Sequence, residues 1–301
     1  MGLLAFIAIL GGIDLLFATP AQIAERSGIR WDWRRGLPVA VGNPSSPVSV
    51  WAPTNLVTYT TNRAVFPETV RVLILGDGVT GEGINYLADV LTQMSTRGKF
   101  KIKATSRASG VYTLFNHYTD MQSRTLINAT IPDRTNPTNR LCWDAVVLQE
   151  SRQIPVYAFG QFRNSVTNLN QAVLDAQSQT ALFMTWGIGD EFFSASEFLD
   201  RTEFAHQNVG QLASIPYFPV GRAWDLCEKR RPQIKLRQRD RFTPTPHGMY
   251  LNACVLYAYL TWQSPLGLTD GGLHMIAEDE LIFMQKLAWE LFEANPNGIS
   301  F

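Results

Sequence analysis

The stretch VRVLILGDGVTG, residues 70 to 81, raises the first chemical question. A run of β-branched and apolar residues ends in Gly76-Asp77-Gly78, and a helix-like pattern follows. Strand ends of this kind hold nucleophiles in α/β hydrolytic enzymes, yet Gly78 has no side chain to attack with. No serine occurs between Val70 and Thr92. Three carboxylates, Asp77, Glu150 and Asp240, follow predicted strands or lie in loops. Clustered, they could do acid–base work or hold a hard cation. The structural alternative ranks first: Asp77 satisfies backbone donors in its turn, and Asp240 caps its loop. Thr80 and His247 form a candidate substitute pair, a hydroxyl and a base. Pro244 and Pro246 restrict the loop that would bring His247 back. The four histidines, 117, 206, 247 and 274, have no metal-ligand spacing, so neither a metal nor a cofactor is expected.

These residues need elements to position them. VRVLIL, FKIKAT, DAVVLQ (144–149) and TALFMTW (180–186) read as strands, with YFPV (217–220) as a fifth. Between and after them, apolar residues recur at helical spacing: Ile84, Leu87, Leu91 and Met94, then Val166, Leu169 and Val173. Further helices are expected near 198–212, 222–230, 249–262 and 278–292. Strands alternating with helices predict a parallel sheet covered on both faces, a three-layer α/β/α sandwich. Ligands of such sheets lie beyond the carboxyl ends of the strands. Gly76-Asp77-Gly78, Gln149-Glu150 and Trp186-Gly187 all fall there.

Four blocks in this order resemble the SGNH, or GDSL-type, hydrolases, in particular a bacterial branch with a Gln-Glu pair after the third strand. They are LILGDGVT, then SGVYTLFNH (109–117), DAVVLQES (144–151) followed by FMTWG (183–187), and DRFTPTPHGMYLNACVLYAYLTWQSPLG (240–267). The resemblance covers roughly residues 68 to 268 and implies an SGNH/flavodoxin-like form of the sandwich. It implies a serine nucleophile in the first block, and an Asp and a His three residues apart in the last. It also implies an oxyanion hole of backbone amides and a side-chain amide. Carried over residue by residue, Asp240 matches, Gly110 matches the oxyanion glycine, and Gln149 and Glu150 match the polar pair. The serine position is Gly78 and the histidine position is Thr243. The vestigial pocket expected from this comparison is Asp77, Gly78, Gly110, Gln149, Glu150, Asp240 and Thr243.

Composition bounds the rest. Lys+Arg and Asp+Glu are both 26, so nothing calls for nucleic acid. Three cysteines, Cys142, Cys227 and Cys254, are too few and too scattered for a disulfide framework, and are expected to be small packed residues. Residues 1–21 carry an apolar run from Leu3 to Phe17, interrupted by Asp14 and two glycines. This run reads as a signal, an anchor or a docking arm, with membrane contact through residues 3–17 and an exported or membrane-associated location. Residues 22–67 read as an extended arm with short strands, and 68–301 as the main domain. EKRRPQIKLRQRDR (228–241) holds seven basic and two acidic residues. Lys229, Arg230, Arg231, Lys235, Arg237 and Arg239 could dock an acidic partner, although such runs are usually solvated faces.

Three functions stay open on this reading. The first is a pseudoenzyme serving as a binding or assembly module for a protein partner or a glycan or acyl ligand. The second is an esterase or carbohydrate deacetylase with a rebuilt site. The third is a sugar-binding protein using the retained pocket.

Overall fold

The computed structural model describes residues 68–81, 86–129 and 142–296, together with the backbone of two short antiparallel ladders, Ile29–Asp32 with Leu37–Ala40 and Ile131–Pro132 with Arg140–Leu141. The expectations for the apolar segment 1–21, and for the arm 22–67 apart from its one ladder, lie outside the described residues. Among the described residues, no helix is long and apolar enough to cross a membrane.

Five parallel strands form the sheet: β1 Thr69–Gly76, β2 Lys101–Ala108, β3 Ala145–Gln149, β4 Gln179–Phe183 and β5 Tyr217–Phe218. Their order is β2-β1-β3-β4-β5, a flavodoxin-like arrangement, and the sheet is parallel as the alternation of strands and helices implies. β1 is central and continuously apolar, and all its residues from Val70 to Gly76 are buried. The pleat divides them. Val70, Val72 and Ile74 enter one core with Val147, Phe183 and the helices α1 (Leu87–Met94), α6 (Val220–Arg230), α7 (Pro246–Thr261) and α8 (Glu278–Ala294). Leu73 and Leu75 enter the other with Leu148, Leu182 and the helices α2 (Leu114–Thr119), α3 (Met121–Ile127), α4 (Phe159–Asp175) and α5 (Ala195–Ala213).

Local sequence explains the boundaries. The fifth strand stops at Phe218 rather than running to residue 220. Pro219 has no amide for the ladder, and the chain turns straight into α6. Ser194 and Glu197 close a reciprocal capping box at the start of α5. Thr245 accepts from the Gly248 amide and Pro246 takes the first turn of α7, whose residues from Gly248 to Thr261 are all buried. That burial on every side explains why α7 shows no amphipathic stripe in sequence. Cys227 and Cys254 are buried, Cys142 is half-buried, and none of the three is in a disulfide.

One buried ion pair pins the amino ends of β1 and β3. Arg71 donates to both oxygens of Asp144, 2.9 Å from Nε to Oδ2 and 2.8 Å from Nη2 to Oδ1, and the Arg71 amide adds a third bond at 2.7 Å. Removing one member of such a pair strands the other's charge away from water. Arg71→Met is therefore expected to cost about 3 kcal/mol or more of folding stability, read from the urea midpoint against wild type. An unchanged midpoint would show that the pair contributes nothing net.

Candidate functional site

The carboxyl ends of β1, β2 and β3 meet at one edge, where Asp77, Gly78, Gly110, Gln149 and Glu150 come together. Their side chains are turned inward, however. The Gly76-Asp77-Gly78 turn is held from below by Gln149. Its Oε1 accepts from the Asp77 amide at 2.8 Å, and its Nε2 donates to the Glu150 carbonyl at 2.7 Å. Gly76 is required by this approach, since a Cβ there would lie 2.4 Å from Gln149 Oε1 and 2.5 Å from Thr80 Oγ1. Asp77 Oδ1 accepts from the Val79 amide at 2.9 Å, the turn-capping task expected of it. Gly78 opens a single helical turn, Gly78–Gly81, and its amide donates to the Gly110 carbonyl at 2.9 Å. An oxyanion hole needs that amide aimed at substrate. Here it ties the β1 turn to the β2 loop, where Gly110 sits at a φ of +32°.

Glu150 is buried as well. Its Oε1 accepts from the amides of Leu114, at 3.1 Å, and Ser151, at 2.8 Å, so it fastens the start of α2 to the end of β3. Its Oε2 is buried without a hydrogen-bond partner. Desolvation, aided by the nearby Asp77 charge and opposed by the two amides, raises this carboxyl from its ordinary 4.5 to about 8.

In the last block, Asp240 is exposed and fully engaged. Its Oδ1 accepts from the amides of Phe242 and Thr243, at 2.8 and 2.9 Å, and its Oδ2 accepts from the Thr243 hydroxyl at 2.6 Å. The Thr243 hydroxyl bond comes first among the causes that hold the Asp240 carboxyl below its usual range. The two substitute candidates are placed apart. Thr80 is buried and donates to the Asp77 carbonyl at 3.1 Å. His247 Nε2 lies 2.8 Å from Glu280 at the start of α8. His117 sits beneath the turn, with Nε2 donating to the Gly76 carbonyl at 2.9 Å and Nδ1 2.8 Å from Ser123 Oγ, which itself lies 2.8 Å from Asp120. The order is His–Ser–Asp. A nucleophilic relay needs the imidazole in the middle, so this chain of contacts is a buried support for the turn. Among the described residues, no group of three His, Cys, Asp or Glu side chains could hold a metal ion.

The basic stretch divides. Lys229 pairs with Asp225, Arg230 with Glu290, Arg231 with Asp279 and Arg237 with Glu228, while Lys235 donates to the Pro232 carbonyl. Arg239 is exposed. One residue of the edge escaped the sequence reading. Arg152, two residues past Glu150, lies flat over the Phe242 ring with Cζ 3.4 Å from its centroid. Its position just beyond a strand's carboxyl end was the available signal.

The raised Glu150 carboxyl makes stability depend on pH. The folded chain holds this proton more tightly than the unfolded chain, whose carboxyl titrates near 4.5. Raising pH from there first deprotonates the unfolded state and lowers stability, and the loss levels off once pH passes about 8. Glu150→Gln keeps an acceptor for both amides and carries no proton to lose. Its melting temperature relative to wild type should therefore rise steadily across that window in thermal scans. A constant difference would mean that the carboxyl titrates normally.

No protein-family model and no curated protein matches this sequence. Solved structures do match. A candidate SGNH hydrolase from Slackia heliotrinireducens is 21% identical with a TM-score of 0.51, over 65% of this chain and 100% of that one. A DUF4886 family protein from Bacteroides uniformis is 14% identical with a TM-score of 0.55, over 77% of this chain and 97% of that one. With the strand order and the two-sided helical cover, these likenesses give the chain the fold of the SGNH, or GDSL-type, hydrolases.

Proposed function

We propose that the carboxyl edge binds a ligand or partner without hydrolysing it, so that this SGNH-fold protein works as a binding or assembly module. The observation that carries the reading is the pairing of Thr243 with Asp240 in a chain whose nucleophile position is Gly78. The carboxylate that would orient a histidine accepts a hydroxyl instead, at 2.6 Å. A hydroxyl cannot take a proton from a nucleophile near neutral pH, and Gly78 offers none to take. Losing members of a triad costs orders of magnitude in rate even singly.

The surrounding bonds support the same reading. The Gly78 amide and the Gln149 amide group, two donors suited to an oxyanion hole, are spent within the protein. The rebuilt-site alternative asks Thr80 and His247 to meet. One is buried on its own turn and the other is held by Glu280. The apolar run at residues 3–17 supplies a candidate tether for a module of this kind.

The full chain, incubated with p-nitrophenyl acetate and with a fluorophosphonate probe, is expected to give no turnover above buffer and no covalent label. Asp240→Ala and His247→Ala should behave identically to wild type. Turnover that either substitution abolishes would establish a working site and end this proposal.

A further inference from the structure

We infer that the carboxyl edge recognises an oxyanion, a carboxylate or a phosphate group, through the guanidinium of Arg152. This rests on the reading of the edge as a binding site. Arg152 is half-buried and stacked on Phe242, a residue that is itself 37% exposed. Stacking fixes the plane of the guanidinium and leaves its rim of N–H donors in that plane. Among the described residues, those donors make no hydrogen bond. The contrast with the neighbouring cations is the main point. Lys229, Arg230, Arg231 and Arg237 each have a carboxylate partner. Among the described residues Arg152 pairs with none, and neither do Arg239 and Arg241, both exposed and within three residues of Phe242.

Two carboxylates lie near enough to act on Arg152 electrostatically, Asp77 and Asp240. Both favour its charged form, and both have oxygens committed elsewhere. Asp77 accepts from the Val79 amide, and Asp240 accepts from two amides and a hydroxyl. Among the described residues, neither accepts a hydrogen bond from the Arg152 donor fork. A planar fork of parallel N–H groups matches the two oxygens of a carboxylate or phosphate, a match that an ammonium group lacks.

The test is thermal-shift titration of the full chain with sodium acetate and with sodium phosphate, each against sodium chloride at equal ionic strength. A ligand that binds only the folded state raises the melting temperature as its concentration passes Kd. A saturable rise above the chloride control is expected for at least one anion. Acetate binding more tightly would point to a carboxylate ligand, and phosphate to a phosphate ester. Arg152→Ala should weaken that binding about ten-fold or more, and Arg152→Lys should restore only part of it. Phe242→Leu removes the stacking surface and should weaken binding as well. Lys286→Ala, an exposed basic residue on α8, should bind like wild type. If Arg152→Ala does not fold, Arg152→Lys and Phe242→Leu decide the matter. No rise beyond chloride, or equal binding in the Arg152 variants, overturns the inference. Ester turnover would instead overturn the non-hydrolytic reading, so the two failures are told apart.

Discussion

Parallel pairing sets the carboxyl ends of β1 and β3 side by side, and the Gln149 amide is the clamp across them. A parallel strand pair ends with backbone donors and acceptors that the ladder no longer uses, and buried ones must find partners. Gln149 meets this need in both directions, taking the Asp77 amide and giving to the Glu150 carbonyl. Gly76 makes room for it. The geometry of the whole edge follows from this contact. It places the Gly78 amide against Gly110, sets the His117 ring under the turn, and leaves Glu150 to hold the start of α2.

The consequence is a site whose polar groups are largely internal. A catalytic edge of this fold directs donors and a nucleophile outward, where substrate can meet them. In this chain the Gly78 amide donates to the Gly110 carbonyl, the Gln149 amide group to the Glu150 carbonyl, and the Thr243 hydroxyl to Asp240. Arg152 is different in kind: its guanidinium is stacked on an aromatic ring, within electrostatic reach of Asp77 and Asp240. Such an arrangement is suited to holding a charged group.

Burial accounts for the unusual electrostatics near the edge. Glu150 is 1% exposed and has one oxygen without a partner, so its neutral form is favoured. Asp120 differs, because Ser123 and Arg107 stabilise its ionised form and bring its carboxyl down to about 2. Two carboxylates in one region thus titrate far apart, with opposite causes.

The sequence by itself determined the layers. Val70 to Leu75 are apolar without interruption, which only a strand covered on both faces tolerates, and the helical periods between the strands set the cover. It also determined that no serine lies between Val70 and Thr92. The ends of elements were readable where a residue removes a backbone donor or supplies a cap, as Pro219 and Ser194 do. The destinations of side chains were not readable. Whether Gln149 or Glu150 faced outward depended on the close approach of Gly76, a contact between residues more than seventy positions apart. His247 could be weighed as a base until α8 placed Glu280 against it. Most of the basic stretch looked available for a partner until carboxylates on other turns and helices neutralised it, while Arg152 drew no notice because its partner, Phe242, lies ninety residues on. Local periodicity specifies which face of an element is buried. Only tertiary packing decides which polar group is left with donors to spare, because that depends on neighbours the chain brings together from afar.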